Sequence, residues 1–387
     1  MPKHFYPNSR RFDTPSFAEL LKPLQAILMT VSPFKSRGNK PLEVTFEHML
    51  KSLIFFHLEE HTSGRHLLQI LQEDAFARSE IAPPDGMKNS TFFEILNNRG
   101  LEQFLSVYQA LQQQASHMIP KDFKELGDLV AIDGSLIDAV LSMTWADYRD
   151  GAKKAKVHLG FDVNRAIPSK IFLTNGKADE RPFVDSILQP GQTAVMDRYY
   201  QHHQNFDRWQ TEGKQFVCRI KANTRKVIIN NNQPQSDSIV FFDAMVLLGS
   251  EYLNQTERPI RLIGYRVKGK IYWIATNRYD LSAEQVAEIY RLRWRIEDFF
   301  KWWKQHLKVY HLISRSYHGL MIQILAGLIT YLLLAIYCHN QYNEKVSIKR
   351  VRQLRIQIQN EIRNANFLGG RSPTSESIHE SKPYAKT

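Results

Sequence analysis

Tyr290, Arg293, Glu297 and Lys304 stand three, four and seven residues apart inside Ser282–Leu307, SAEQVAEIYRLRWRIEDFFKWWKQHL. This stretch has no internal Gly or Pro and reads as one helix of about seven turns. Ser282 is its N-cap, and Gln285 three residues on completes a capping-box pattern. At about 100° per residue the four polar side chains fall on a narrow stripe. Ile289, Ile296, Phe300, Trp303 and Leu307 form an apolar seam beside it. One carboxylate and two cations are thereby brought to the edge of a core-facing surface. A carboxylate suits a hard divalent cation. An Arg fork, a Lys point charge and a Tyr hydroxyl suit phosphate oxygens. A helix alone cannot build a cleft, so other elements must supply the facing wall.

Two aspartates are candidates for that wall. Asp133 closes the apolar run Leu129–Ile132, and Asp197 closes Thr193–Met196. Either Asp alone reads as a turn former. Together with Glu297 they make three oxygen donors, a set that suits Mg²⁺ or Mn²⁺ in a two-ion site. Such ions activate a water or a 3′-hydroxyl and stabilise the leaving oxygen of an in-line phosphodiester displacement. The net charge of +12 points to a polyanionic partner. Cys218 and Cys338 are the only cysteines, which excludes a disulfide framework and a thiolate cage and fits a reducing compartment.

The 387 residues have room for two or three domains. Residues 1–123 read as short helices (Phe17–Met29, Phe46–His57, Arg65–Leu71, Phe92–Leu96 and Leu101–Ser116) broken by tight turns, a pattern open to a DNA-binding helical domain. Residues 124–221 alternate short strands with helices and predict an α/β domain with a mixed sheet. Residues 222–276 read as a β insertion, with Lys268-Gly269 as a hairpin turn between Ile260–Val267 and Ile271–Thr276. Residues 277–340 return to the α/β domain with the polar-striped helix and a second, apolar one. Residues 341–387 are a basic helical segment ending in a tail expected to be disordered. Leu320–Cys338 is nearly long enough to span a bilayer, but it contains Gln323 and Thr330 and reads as a buried core helix. The N-terminus has no apolar h-region, so secretion is not indicated. One competing metal pattern is His57-Leu58-Glu59-Glu60-His61, an H-x-x-E-H spacing that would make a zinc peptidase if both histidines shared a helix face.

With Asp133 in AIDGS, Asp197 in VMDRY and Tyr290-x2-Arg293-x3-Glu297-x6-Lys304, the chain resembles the DDE transposases of the insertion-sequence-four family. That resemblance covers roughly Leu129–Leu307. It implies a ribonuclease H-like core in which Asp133, Asp197 and Glu297 hold the catalytic metals. Tyr290, Arg293 and Lys304 would grip phosphates of double-stranded DNA at the terminal inverted repeats. Trp294 and Trp273 resemble positions where relatives stack a flipped base. The resemblance also implies a homodimer on paired element ends, strand transfer into target DNA, and a cytoplasmic, nucleoid-associated protein that uses no membrane. A ribonuclease H-like nuclease, or a domesticated DNA-binding protein, stays open as an alternative. The chain departs from the family at Tyr199-Tyr200, where a small residue usually precedes the aromatic; a bulkier loop there would alter the approach of DNA. His202 and His203 follow and are expected on an exposed helix start.

Overall fold

The computed structural model describes residues 14–35, 42–139, 142–149, 152–232, 234, 238–307 and 311–369. The expected disordered tail from residue 370 lies outside them. Six helices come first: α1 Pro15–Leu28, α2 Phe46–Leu58, α3 Gly64–Glu73, α4 Ala75–Glu80, α5 Asn89–Asn98 and α6 Leu101–Met118. The next strands are β1 Asp128–Ala139, β2 Asp147–Arg149, β3 Ala152–Asp162 and β4 Ile167–Asn175. Helix α7 Pro182–Ile187 leads to β5 Gln192–Met196, and α8 His203–Thr211 to β6 Gln215–Arg219. Strands β7 Lys226–Asn232, β8 Val240–Leu248, β9 Ile260–Val267 and β10 Lys270–Thr276 precede α9 Ala283–Leu292 and α10 Trp294–His306. Helices α11 Tyr317–Tyr342 and α12 Ile348–Gly369 follow.

Among the described residues the strands form one sheet in the order β2-β3-β1-β5-β6-β10-β9-β8-β7, with β4 also on β3. Strands β1, β5 and β6 run parallel, while β3 is antiparallel to both β1 and β4. This is the mixed sheet expected from the sequence. The β insertion continues it, because β10 pairs antiparallel with β6. The hairpin at Lys268-Gly269 forms with φ of 49° and 77°, the left-handed pair that a two-residue turn of this hand requires. Strands β7 and β8 carried no clear signal in the sequence. Strand β7 is an edge strand exposed along most of its length, so it lacks the alternation that marks a half-buried strand.

Each face of the sheet has its own core. Leu129, Ala131 and Ile137 of β1 join the larger cluster with α9, α10 and α11, while Val130 and Ile132 join the smaller one with Val184, Tyr200, Phe206 and Trp209. That split is the two-residue period of a strand. Helix α11 is the axis of the larger core, packed against α2, α5, α6 and β4. Its apolar window is wholly enclosed, as expected for a core helix. Its polar groups find partners inside: Gln323 accepts from Ile313 N at 3.0 Å and donates to His311 O at 2.8 Å, and Thr330 donates to Ala326 O at 2.8 Å.

Two buried arginines fix where α9 starts. Arg261 makes a two-pronged pair with Asp243 at 2.9 and 2.8 Å and donates to Leu281 O at 2.5 Å. Arg278 donates to Leu126 O and to Thr193 Oγ1, both at 2.9 Å, tying the same turn to the starts of β1 and β5. The capping box then forms as read, with Gln285 N to Ser282 Oγ at 3.1 Å and Ser282 N to Gln285 Oε1 at 2.9 Å.

Candidate active site at the strand ends

Strands β1 and β5 pair up to the rung Ala131–Val195. Asp133 and Asp197 each lie two residues beyond that rung. By the two-residue period both belong to the face covered by α9 and α10. The sequence reading ended β1 at Asp133. In the structure β1 runs on to Ala139, because β3 keeps pairing with it, Asp133 opposite Leu159, after β5 has stopped. The gap that opens where β5 ends is the cleft. Asp133 accepts from Gly134 N at 2.8 Å. Burial raises its carboxyl to about 7, with the charges of Glu180 and Asp197 adding to the rise and Gly134 N and Arg293 opposing it. Asp197 caps the turn Arg198–Tyr200 by accepting from Tyr199 N at 2.8 Å.

The polar-striped segment is not one helix but two. Arg293 N bonds Tyr290 O, and Ile296 N bonds Arg293 O, both at 3.2 Å, so the turn tightens to three-residue bonding and α9 hands over to α10. The break falls on a functional candidate. Arg293 is buried and its Nη2 meets Glu297 Oε1 at 2.5 Å, while its Nε is buried with no partner. Its guanidinium lies 5.6 Å from the Tyr290 ring centre and 5.8 Å from that of Trp294. Tyr290 is buried, and burial raises its phenol above the usual range. Lys304 Nζ donates to Leu136 O at 2.7 Å, which joins α10 to the part of β1 beyond Asp133. Burial lowers its ammonium below the usual lysine value.

The two tryptophans differ. Trp294 is 56% exposed beside Arg293. Trp273 packs edge-on against Phe241 and Phe242, at 5.5 and 5.3 Å between ring centres, with Lys226 Nζ 4.4 Å over its face. Trp303 is a core residue, as read. His203 is buried rather than exposed, and its Nδ1 lies 2.7 Å from Asn254 O.

His57 and His61 do not make a zinc site. Helix α2 ends at Leu58, so His61 is off the helix face. His57 is fully buried, with Nδ1 2.6 Å from Leu307 O and Nε2 3.1 Å from Gln323 O, which leaves neither ring nitrogen for a metal. Burial outweighs those carbonyls and lowers its pKa to about 4, which keeps the ring neutral.

Sequence reading missed Glu180 and Lys156, and took Tyr200 only as part of a loop on the DNA approach; the three lie behind Asp133 on the other face of the sheet. Tyr200 donates to Glu180 Oε2 at 2.7 Å, and Lys156 pairs with Glu180 Oε1 at 3.0 Å. The loop residue Glu180 has no periodic pattern around it, and only the pairing of β1 with β3 and β5 brings the three together.

Among the described residues no three Asp, Glu, His or Cys side chains stand close enough to hold an ion as they are. The donor set nonetheless fits a divalent cation. Asp133 and Asp197 offer carboxylate oxygens at the ends of neighbouring strands, and Arg293, whose charge reaches Asp133, is paired with Glu297 on the covering helix.

The site thus consists of a mixed sheet with a carboxylate at the end of each of two parallel strands, and a helix carrying Glu297 and Arg293 on the face that covers them. Residues 124–333 match the family model described as Transposase DDE domain, and the chain belongs to that family. It is 29% identical over 195 residues to a probable transposase for insertion sequence element IS5377 of Geobacillus stearothermophilus, covering 50% of this chain and 52% of the relative. It is 27% identical over 256 residues to a putative transposase for insertion sequence element IS4SA of Synechocystis sp., covering 63% and 70%. A putative transposase of Sinorhizobium fredii, y4zB, is 28% identical over 202 residues, covering 50% and 56%. The match thus spans about half the length of two of these three relatives. Among solved structures, the piggyBac transposase synaptic complex with hairpin DNA overlaps 94% of this chain and 81% of its own, at 13% identity and a TM-score of 0.43.

Proposed function

We propose that the chain is a DNA transposase of the insertion-sequence-four type, which cleaves double-stranded DNA at element ends and joins the freed 3′-hydroxyl to target DNA. The observation that supports this reading is that Asp133 and Asp197 both lie two residues past the last β1–β5 rung, with Arg293 in electrostatic reach of Asp133 and paired to Glu297. Asp133, Asp197 and Glu297 would hold Mg²⁺ or Mn²⁺, which when bound activates the attacking oxygen and stabilises the leaving one. In cleavage a water oxygen attacks phosphorus and the 3′-oxygen leaves with a proton. In strand transfer that 3′-hydroxyl attacks a target phosphodiester and displaces the target's own 3′-oxygen.

Arg293 is the residue that links DNA to this chemistry. Its buried Nε has no partner, and its Nη2 is held by Glu297 Oε1 in the DNA-free chain. A phosphate oxygen satisfies the idle donor and draws the fork away, which frees Glu297 to turn toward the aspartates. Tyr290 and Lys304 flank the same path, and Trp294 offers an open face for an unstacked base. Residues 1–123 are the candidate for further DNA contacts, with α3 and α4 joined across the single residue Asp74, whose carboxylate accepts from Ala77 N at 2.8 Å. On this reading the protein works as a homodimer on paired ends, in the cytoplasm at the nucleoid. The test is incubation with Mg²⁺ and DNA carrying the native element ends. Wild type should nick and join; Asp133→Asn, Asp197→Asn and Glu297→Gln should abolish both reactions yet still retard the end DNA. Cleavage that survives any one of the three substitutions would sink the assignment.

A further inference from the structure

Gly134 follows Asp133 on β1 and faces the rear of the sheet. A Cβ there would stand 2.6 Å from the Glu180 carboxyl carbon, so only glycine lets that carboxylate lie against the strand. Both Glu180 oxygens are committed: Oε1 to Lys156 Nζ at 3.0 Å and Oε2 to the Tyr200 hydroxyl at 2.7 Å. Lys156 is itself held by Ala178 O at 3.0 Å, and its side chain is 4% exposed. Tyr200 is 1% exposed and ends the turn that Asp197 caps. Glu180 therefore gathers three elements at one point: β1 just past Asp133, β3 through Lys156, and the Asp197 turn through Tyr200.

We propose that Glu180 is a positioning residue which, clamped by Lys156 and Tyr200 behind the sheet, sets the separation of Asp133 and Asp197 for the divalent ion. Its carboxylate lies against Gly134, on the face of β1 away from the Asp133 side chain, so it acts through the two backbones rather than as a ligand. The aromatic at Tyr200 fits this arrangement, since its hydroxyl reaches the carboxylate; the bulk at Tyr199, which is exposed, is not explained by it. The gap between β1 and β5 lacks ladder hydrogen bonds beyond Ala131–Val195. Nothing in the sheet itself therefore holds the two aspartates in register there, and the clamp supplies that constraint.

This inference rests on the metal-dependent reading above. Its test is a titration of the full-length protein with Tb³⁺ by luminescence and with Mg²⁺ by calorimetry, alongside end-DNA binding, cleavage and thermal melting. Tyr200→Phe removes one hydroxyl and should weaken ion binding about 10-fold. The Mg²⁺ requirement of cleavage should rise in parallel, while end-DNA affinity stays near wild type and melting falls modestly without loss of the folded state. Gly134→Ala should do the same by pushing Glu180 away, with every charge intact. In a double-mutant cycle Gly134→Ala should cost almost nothing further once Glu180→Ala has removed the carboxylate it would strike. Unchanged ion affinity in Tyr200→Phe and Gly134→Ala, or full additivity in the cycle, overturns the clamp alone. If Asp133→Asn titrates like wild type, the metal site falls and the clamp with it.

Discussion

Trp294 and Trp273 show how much a side chain's surroundings decide its part. Trp294 is open to solvent, so Trp294→Ala should change unfolding stability by no more than about 0.5 kcal/mol. The same substitution should weaken the complex with element ends by about 1–3 kcal/mol, if a base stacks there. Trp273 is wedged among Phe241, Phe242 and Lys226, so Trp273→Ala should cost about 3 kcal/mol in urea unfolding whether or not it meets DNA. Equal effects of the two substitutions on stability would refute this division. For Lys304, whose ammonium touches Leu136 O at the cleft edge, the expected signature is in salt. Lys304→Ala should lower the slope of log affinity against log salt by about 1 for any DNA sequence. A slope equal to wild type would remove it from the phosphate path.

At the scale of elements, the α9–α10 pair carries the most consequence. The pattern of apolar residues and the Ser282–Gln285 box were legible in the sequence, and both are present. The break at Arg293 was not, because no Gly or Pro marks it. The turn tightens around the residue whose guanidinium is shared with Tyr290, Trp294 and Glu297. Capping sets where this pair begins relative to β1 and β5. Ser282→Ala should therefore lower stability by about 1 kcal/mol, read as a lower urea midpoint with an unchanged slope. A changed slope would mean that α9 had come loose rather than lost a cap. Strand β1 shows the opposite lesson. Its first residues formed a plain apolar run, but its extension past Asp133 depends on β3, which is distant in the chain and invisible to local reading.

For the whole molecule, His57 is a joint between regions far apart in sequence, with its ring between Leu307 O and Gln323 O. Burial holds the folded pKa near 4, whereas the unfolded chain protonates near the ordinary 6.5. As pH falls below about 6.5 the unfolded state takes up a proton that the folded state refuses. Stability is thus lost down to about pH 4, by up to roughly 3 kcal/mol from this group. His57→Gln should flatten unfolding stability across that window by one proton's worth relative to wild type. Identical pH slopes would show that the ring titrates normally.

The sequence by itself determined the candidate groups: two aspartates after apolar strands, a Tyr-Arg-Glu-Lys spacing, a basic net charge and a mixed α/β order. These are local facts, because side-chain type, capping and periodicity act over a few residues. Only the tertiary structure decided which groups meet. It tied His57 into the core, carried the β insertion into the main sheet, and paired Glu297 with Arg293. It also brought Glu180, Lys156 and Tyr200 behind Asp133. Those outcomes depend on strand register and on packing between segments far apart in the chain. No local pattern encodes a register, since the same alternation fits any two-residue shift.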